Sequence, residues 1–294
     1  MSKPKSYIII KENKKTQKHR NRVTNICAFV LLFLCSSVYF MAKVISIVNQ
    51  KGGVGKTTTA INLGAHLAEM GKFVLLADMD PQANATSDLG IDYQGLDAGL
   101  YEVLIGEKHF RDIIMPTSHQ GFRLAPATPN LAGAGVEMVG LDRREYRLQD
   151  AILEIKNDYD YIFIDCPPSL GLLTLNSLVA ADEILVPVQA EYYALEGLGQ
   201  LLYTIGLVKQ NLKPELDIMG AMITMFDKRN NLSEQIMNEL YQYFPDKIFR
   251  TVVPRNVRLT EAPSHGLSIV QYDANCVGNK AYERLAREII DLEK

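Results

Sequence analysis

Apolar and polar positions alternate in blocks along the chain from Met41 onward. Short runs rich in Val, Ile, Leu and Phe are followed by longer stretches in which apolar residues recur every three or four positions. The short runs predict buried strands, and the periodic stretches predict amphipathic helices. The predicted strands are Val44–Val48, Phe73–Ala77, Phe122–Ala125, Tyr161–Ile164, Glu183–Val188 and Ile218–Met225.

Helical patterns lie between and after these runs. The predicted helices are Lys56–Met70, Arg144–Lys156, Leu170–Ala181, Leu195–Val208, Ser233–Tyr243 and Gly278–Leu292. Alternating strands and helices are typical of a doubly wound α/β fold, in which helices cover both faces of a mostly parallel sheet. No long linker or internal repeat interrupts the pattern, so we expect one domain from Met41 to Lys294.

The first forty residues differ from the rest of the chain in charge and hydropathy. They hold eight of the 31 Lys and Arg side chains but one of the 34 Asp and Glu side chains, Glu12. The apolar stretch 26–42 is typical of a signal-peptide core or a short membrane span. A genuine anchor would carry the remaining chain across the membrane, away from ATP, because the basic residues would stay in the cytoplasm. We therefore expect residues 1–40 to be an upstream mis-start before a natural start at Met41, with a membrane or signal segment as the alternative.

Without that segment the chain is acidic. The remaining residues carry 23 basic and 33 acidic side chains, a net of −10. An acidic chain does not attract nucleic acid as a whole, so any contact with it must come from a local basic patch. The best candidate is Pro254–Arg258, because Arg255 and Arg258 are three positions apart and would share one face of a helix. A solvated pair of surface arginines is the alternative.

A phosphate-binding loop is predicted between the first strand and the first helix. The segment Asn49–Thr58 reads NQKGGVGKTT. Glycines allow backbone N–H groups to surround phosphate oxygens without a clash from a Cβ atom, and the N-terminus of the following helix adds positive potential. The predicted nucleotide-binding residues of this loop are Lys51, Gly52, Gly53, Val54, Gly55, Lys56, Thr57 and Thr58.

Individual side chains of the loop have predicted roles. Lys56 is expected to reach the β- and γ-phosphates, the Thr57 hydroxyl to ligate Mg²⁺, and Thr58 to contact the α-phosphate. The loop departs from the ordinary Walker A motif, because Gln50 stands where that motif has its first glycine. It fits instead the deviant pattern K-G-G-x-G-K-[ST], which begins with an additional lysine, Lys51. ATP with Mg²⁺ is therefore the expected ligand, and a glycine-rich turn with a solvated lysine is the alternative.

Two further segments place carboxylates at the ends of predicted strands. Asp78 and Asp80 follow the second strand in LLADMDPQ, and Asp165 follows four apolar residues in YIFIDCPP, the Walker B form. The carboxyl ends of parallel strands meet at the sheet edge where ligands bind in open α/β folds. We therefore expect Asp165 and Asp80 to join Thr57 in one Mg²⁺ site. An aspartate that only caps a turn is the alternative, above all for Asp78.

Five motifs of the chain resemble the ParA/Soj family, within the MinD/ParA superfamily of P-loop NTPases. They are NQKGGVGKTT (49–58), DMDPQANAT (78–86), DCPPSLG (165–171), EYYALEG (191–197) and VPRNVRLTEAPSHG (253–266). Their order and spacing match over essentially all of residues 41–294. The resemblance implies an ATPase that partitions chromosomes or plasmids.

The resemblance also implies roles for individual residues. Lys51 would be the signature lysine, which crosses the interface of an ATP-sandwich homodimer to touch the phosphates bound by the other subunit. Asp80 would help to activate the attacking water, and Asp165 would support the metal. Hydrolysis would be slow until a ParB/Spo0J-like centromere-binding protein accelerates it, since no built-in arginine finger is evident.

DNA and adenine contacts follow from the same resemblance. Arg255 and Arg258 would bind DNA without sequence preference, only in the ATP dimer, through phosphate contacts that weaken steeply with salt. Pro254 and its neighbours, with Met225 opposite, would contact the adenine. The expected location is the cytoplasm, on the nucleoid when ATP is bound, with no stable membrane association.

Other functions on this scaffold stay open. A MinD-like division-site regulator needs a basic amphipathic C-terminal helix, whereas Arg287–Lys294 is balanced in charge and lacks aromatic residues. Nitrogenase iron-protein relatives need two cysteines for a shared cluster, and none lies between Cys35 and Cys166. Motifs do not exclude an orphan ParA-like ATPase that positions another cargo. A ligase of the dethiobiotin-synthetase type would leave Lys51 and the arginines without a purpose.

Overall fold

Eight strands form one sheet in the part of the chain that the structure, a computed structural model, describes: residues 41–191, 197–227, 229 and 231–293. The strands are β1 (Lys43–Ile47), β2 (Val74–Asp78), β3 (Met115–Pro116), β4 (Phe122–Ala125), β5 (Tyr161–Asp165), β6 (Glu183–Gln189), β7 (Asp217–Phe226) and β8 (Ile248–Pro254). Their spatial order is β3-β4-β2-β5-β1-β6-β7-β8, and all neighbours are parallel except β3 and β4. The predicted mostly parallel, doubly wound sheet is confirmed.

Twelve α-helices accompany the sheet in the described residues. They are α1 (Lys56–Glu69), α2 (Asn84–Asp88), α3 (Leu100–Ile105), α4 (Phe110–Ile113), α5 (Leu131–Glu137), α6 (Arg147–Leu153), α7 (Leu172–Ala180), α8 (Leu198–Asn211), α9 (Asn231–Tyr243), α10 (Arg258–Glu261), α11 (Ile269–Tyr272) and α12 (Val277–Asp291). None of them is long and apolar enough to cross a bilayer.

Each face of the sheet carries its own hydrophobic core, because successive strand residues point to opposite faces. In β1, Ile45 and Ile47 pack with residues of α1 and α12, whereas Val44 packs with residues of α3 to α9 on the other face. Strands buried on both faces need apolar residues at nearly every position, which explains the continuous runs in the sequence. Residues 41–294 form one compact unit.

All six predicted strands and all six predicted helices are present, with ends shifted by a few residues. The pattern analysis missed the two edge strands, β3 and β8. β3 has only two residues, and β8 alternates buried residues with more exposed ones such as Arg250. An edge strand gains burial on fewer sides, so its apolar signal is weaker. Residues 1–40, the subject of the mis-start prediction, lie outside the described part of the chain. Residues 192–196 of the EYYALEG motif also lie outside it.

The topology brings three chemistry-bearing strand ends together. β1 lies between β5 and β6, and β5 lies between β1 and β2. In this register Asp165 of β5 lies beside both Ile47 of β1 and Asp78 of β2. The helix that follows β1 packs closely on the sheet at Gly64. The missing side chain allows this approach, since a Cβ atom at that position would come within 2.7 Å of the Phe122 ring.

Candidate active site

The predicted phosphate loop joins the end of β1 to the start of α1. Gly53 and Gly55 have left-handed backbone φ angles of +72° and +91°, which residues with a Cβ atom rarely adopt. Gly55 is also the N-cap residue of α1, so the amide groups of the first turn point toward the loop. The backbone therefore has the conformation that an anion at a helix N-terminus requires.

Neighbouring strands hold this loop in place. The Asn49 side chain donates to the carbonyl of Pro187 at 2.7 Å and accepts from the backbone N–H of Lys51 at 3.0 Å. On the other side, the hydroxyl of Thr224 donates to the carbonyl of Val54 at 2.8 Å. The loop is thus anchored to β6 and β7 before any ligand binds.

Lys56 is buried at the first position of α1. Its ammonium donates to the carbonyl of Lys51 at 3.3 Å, so the side chain folds back over the loop. Burial lowers the pKa of Lys56, and the negative charges of Asp165 and Asp80 oppose that shift. A buried cation beside an anion-binding backbone fits contact with the terminal phosphates of a nucleotide.

Thr57 and Asp165 meet at the same edge of the sheet. The Thr57 hydroxyl donates to Oδ2 of Asp165 at 2.7 Å, while Oδ1 of Asp165 is buried and has no hydrogen-bond partner in the described residues. Burial raises the pKa of Asp165 well above its usual range, and the charge of Asp78 adds to the shift. A bound ion or an ordered water would satisfy such a buried carboxylate oxygen. Hydroxyl and carboxylate oxygens are the donors that Mg²⁺ prefers, so these residues fit that ion.

Asp78 and Asp80 lie at the end of β2 and just beyond it. Asp78 is fully buried, and this burial raises its pKa to about 7. Asp80 is 7% exposed, and its Oδ1 accepts from the backbone N–H of Gln82 at 3.0 Å. Ala83, three residues on, has a left-handed φ of +51° and precedes α2. Non-glycine residues in this conformation are often found at functional sites.

Lys51 points away from the interior of the loop. Its ammonium lies 3.8 Å from Oε2 of Glu191, and the side chain is one-third exposed. The second carboxylate oxygen of Glu191 accepts from the Arg255 guanidinium at 3.1 Å. One carboxylate at the end of β6 therefore contacts both the lysine and an arginine of the predicted DNA-binding segment.

The predicted adenine contacts line a small cavity beside the phosphate loop. This cavity of about 90 Å³ is bounded by Met225 and Pro254, together with Gly55 and Thr58 of the loop. Met225 has a left-handed φ of +51° at a register shift between β7 and β8. Sequence reasoning missed Tyr282 of α12, which also lines the cavity; its hydroxyl lies 3.2 Å from the Thr59 hydroxyl.

The predicted arrangement of Arg255 and Arg258 is wrong. Arg255 lies in the connection after β8, and α10 begins only at Arg258, so the two side chains do not share a helical face. Arg258 instead pairs with Glu261 at 2.8 Å and with Asp273 at 3.5 Å. The turn begins after residue 256, whose side chain accepts from the Arg258 backbone N–H.

Arg255 belongs to a different basic surface, which we call the basic basin. This depression of about 890 Å³ is lined by the cationic residues Arg229, Arg250, Arg255, Lys280 and Arg284. Asp227 is its one acidic lining residue among those described. Sequence reasoning missed the basin because its cations come from β8, α12 and the connections after β7 and β8. The spacing of Lys280 and Arg284 on one helix was the available signal.

Comparison with known proteins gives a consistent picture. Residues 42–218 match the family model described as AAA domain. The chain is 53% identical over 249 residues to the sporulation initiation inhibitor protein Soj of Bacillus subtilis, covering 85% of this chain and 98% of that protein. It is 52% identical over 250 residues to the chromosome partitioning protein ParA of Myxococcus xanthus, covering 85% and 88%.

A solved structure shares the fold and carries a nucleotide. It is the cobyrinic acid a,c-diamide synthase of Mycobacterium smegmatis with bound ADP and magnesium, which is 36% identical to this chain. The two superpose with a TM-score of 0.76, over 85% of this chain and 94% of that one. The site described above therefore belongs to a fold that binds a nucleotide together with magnesium.

Proposed function

Because this chain belongs to the ParA/Soj family of partitioning ATPases, we propose that it segregates a chromosome or plasmid by cycling on and off DNA. It is an ATPase that uses ATP and Mg²⁺. In the proposed cycle an ATP-bound homodimer binds DNA without sequence preference, and hydrolysis releases it. The observation that carries the proposal is that Pro254 and Arg255 line both the cavity beside the phosphate loop and the basic basin.

The phosphate loop and the strand ends would hold the substrate and the metal. Lys56 and the loop amides would bind the phosphates, and Thr57, Asp80 and Asp165 would hold Mg²⁺. The metal would neutralise charge on the phosphate oxygens. The unpartnered Oδ1 of Asp165 and the Thr57 hydroxyl beside it support this assignment.

Asp80 would orient the attacking water. Its carboxylate is largely shielded from solvent and contributes negative charge near Lys56. Water exclusion strengthens electrostatic interactions at such a site. The phosphate loop contains lysines but no arginine. We therefore infer that ATP hydrolysis by the chain alone is slow and that a ParB/Spo0J-like partner accelerates it.

Lys51 would cross to the phosphates of a second protomer. Its side chain is partly exposed, and its one ion pair among the described residues is a 3.8 Å contact with Glu191. Exposed ion pairs contribute about 0–1 kcal/mol, so this contact is weak enough to exchange for a phosphate. ATP shared between two copies would then favour the dimer by mass action.

The basic basin would bind DNA on the nucleoid. Five cations around one depression provide the local positive patch that an acidic chain needs for phosphate contacts. Within the basin, Arg229 and Arg255 are each paired with a carboxylate, that of Asp227 and that of Glu191. Arg258 lies outside the basin lining and is held by two carboxylates, Glu261 and Asp273. We therefore assign Arg255 and its basin neighbours the main share of the DNA contacts, with Arg258 at their edge.

A second candidate function comes from the solved structure named a cobyrinic acid a,c-diamide synthase. A small-molecule ligase on this fold would use ATP to activate a metabolite rather than to bind DNA. The two candidates differ in what stimulates ATP hydrolysis. DNA together with a basic partner peptide would stimulate a partitioning ATPase, and only a metabolite would stimulate a ligase. An orphan ATPase for another protein cargo would respond to its own partner.

The test measures oligomeric state and DNA binding of the full chain. With ATP and Mg²⁺, Asp80→Ala should form a stable dimer in light scattering and bind DNA fragments of unrelated sequence equally well. Lys51→Ala should stay monomeric. Lys72→Ala should dimerise, because Lys72 is also one-third exposed and paired with a carboxylate, that of Asp160, but lies outside the phosphate loop. A monomeric Asp80→Ala protein under these conditions would overturn the proposal.

A further inference from the structure

Asp78 is a completely buried carboxylate whose hydrogen bonds all lead to the segment after it. Its Oδ1 accepts from the backbone N–H of Asp80 at 3.2 Å. Its Oδ2 accepts from Thr86 twice, from the backbone N–H at 2.8 Å and from the hydroxyl at 2.7 Å. One side chain therefore ties both ends of the segment from Asp80 to Thr86.

Thr86 passes this connection on to a third element. Its hydroxyl accepts from the backbone N–H of Ala127, just beyond β4, at 3.1 Å, and the residue is fully buried. The hydroxyl thus needs both its donor and its acceptor functions. Two neighbouring strands, β2 and β4, fix the segment that carries Asp80.

The segment itself is tightly turned. The backbone carbonyl of Asp80 accepts from the backbone N–H of Ala83 at 2.9 Å, and Ala83 has a left-handed backbone. A left-handed backbone is unfavourable for alanine and persists only when the surrounding structure fixes it. The bonds to Asp78 supply that hold at both ends.

We infer that Asp78 and Thr86 are positioning residues for hydrolysis: they fix Asp80 where it can orient the attacking water. This inference rests on the proposed role of Asp80. Neither residue needs to touch the nucleotide. A small displacement of the Asp80 carboxylate would lower turnover strongly. The loop amides, Lys56 and the Thr57–Asp165 pair would still bind the nucleotide and the metal.

Two substitutions separate the hydroxyl of Thr86 from its shape. Thr86→Val keeps the volume but loses both hydrogen bonds of the hydroxyl, and Thr86→Ser keeps them. Asp78→Asn keeps the shape but turns an amide N–H₂ toward a backbone donor. Thr117→Val is the control, because it removes a partly buried threonine hydroxyl bonded to the Phe122 carbonyl, beside the β3–β4 edge of the sheet.

The experiment measures ATP turnover at saturating DNA, the KM for ATP, and hydrogen exchange of peptides covering residues 79–90. Asp78→Asn and Thr86→Val should lower kcat about tenfold to a hundredfold, with KM changed by no more than about twofold. Both should exchange faster in that peptide. Thr86→Ser should restore kcat and exchange protection, and Thr117→Val should match the unsubstituted chain.

Asp80→Ala, measured in parallel, separates the two levels of inference. If Asp80→Ala abolishes turnover but Asp78→Asn and Thr86→Val keep normal kcat, the positioning role is overturned and the proposed function stands. A failure of Thr86→Ser to restore kcat would also overturn it. If Asp80→Ala itself turns over ATP normally, the proposed role of Asp80 is overturned, and so is the positioning role that rests on it.

Discussion

The hydroxyl of Thr57 donates a 2.7 Å hydrogen bond to the carboxylate of Asp165, joining the first turn of α1 to the end of β5. The two residues are far apart in sequence and come from different motifs. Their contact places a hydroxyl and a carboxylate at the edge of the phosphate loop, and the second oxygen of this carboxylate has no hydrogen-bond partner in the described part of the chain.

We therefore expect the Thr57 hydroxyl to govern the metal dependence of ATP binding. Thr57→Val should lower the Mg²⁺-dependent affinity for ATP by about tenfold to a hundredfold, because it removes a metal ligand that Asp165 orients. Thr57→Ser keeps the hydroxyl and should bind normally. Calorimetric titration of ATP with and without Mg²⁺ tests this, and equal Mg²⁺ dependence of the valine and serine variants would contradict it.

The basic basin should control the salt dependence of DNA binding. Removing one phosphate contact lowers the slope of log K against log salt by about one. We expect Arg284→Ala to do this in the ATP-bound Asp80→Ala background. The control is Arg287→Ala on the same helix, since Arg287 pairs with Glu283 at 2.8 Å and lies outside the basin lining. Fluorescence anisotropy across a salt series measures both slopes, and equal losses would argue against the basin.

Glu191 should restrain Lys51 and Arg255. Its carboxylate competes with phosphate for both cations. Glu191→Gln should therefore strengthen DNA binding of the ATP-bound Asp80→Ala dimer by roughly twofold to fivefold, the range expected for exposed ion pairs. Glu183→Gln is matched, because Glu183 pairs with Lys43 at the opposite end of β6. Unchanged binding in Glu191→Gln, or an equal gain in both variants, would refute the restraint.

Acid should destabilise the fold partly through His119. Burial lowers the pKa of His119 from its usual 6.5, and its Nε2 lies 2.8 Å from the Ser268 hydroxyl. Below pH 6.5 the unfolded chain therefore binds a proton that the folded chain resists, so stability is lost as the pH falls. His119→Gln should flatten the decline in Tm between pH 6.5 and about 5.

The control for that pH series is His265→Gln, at an exposed position. Carboxylates titrate in the same pH range, so the comparison between variants isolates the histidine. If Tm declines equally in His119→Gln and in the unsubstituted chain, His119 does not contribute to the loss of stability in acid.

Local chemistry explains which parts of the site were predictable. The glycines around Lys56 and the apolar run before Asp165 each leave a signal within about ten residues. The sequence therefore indicated the phosphate loop, the strand ends and the α/β class. The alternation of strands and helices then indicated a mostly parallel sheet.

Features assembled from distant segments left no such signal. The basic basin draws single cations from several elements, and Tyr282 reaches the cavity from the C-terminal helix. The role of Thr86 depends on a bond to Ala127, which only the pairing of β2 with β4 brings near. The arginine pair failed for a related reason, because the length of β8 and the start of α10 set their geometry.

The wall formed by Pro254 and Arg255 has a pharmacological consequence. A purine mimic that contacts Pro254 in the cavity beside the phosphate loop would also shift the backbone of Arg255. Occupancy of the cavity would therefore change the geometry of the basic basin. Compounds selected only for displacing ATP should then fall into two groups, those that lower the affinity for DNA and those that raise it.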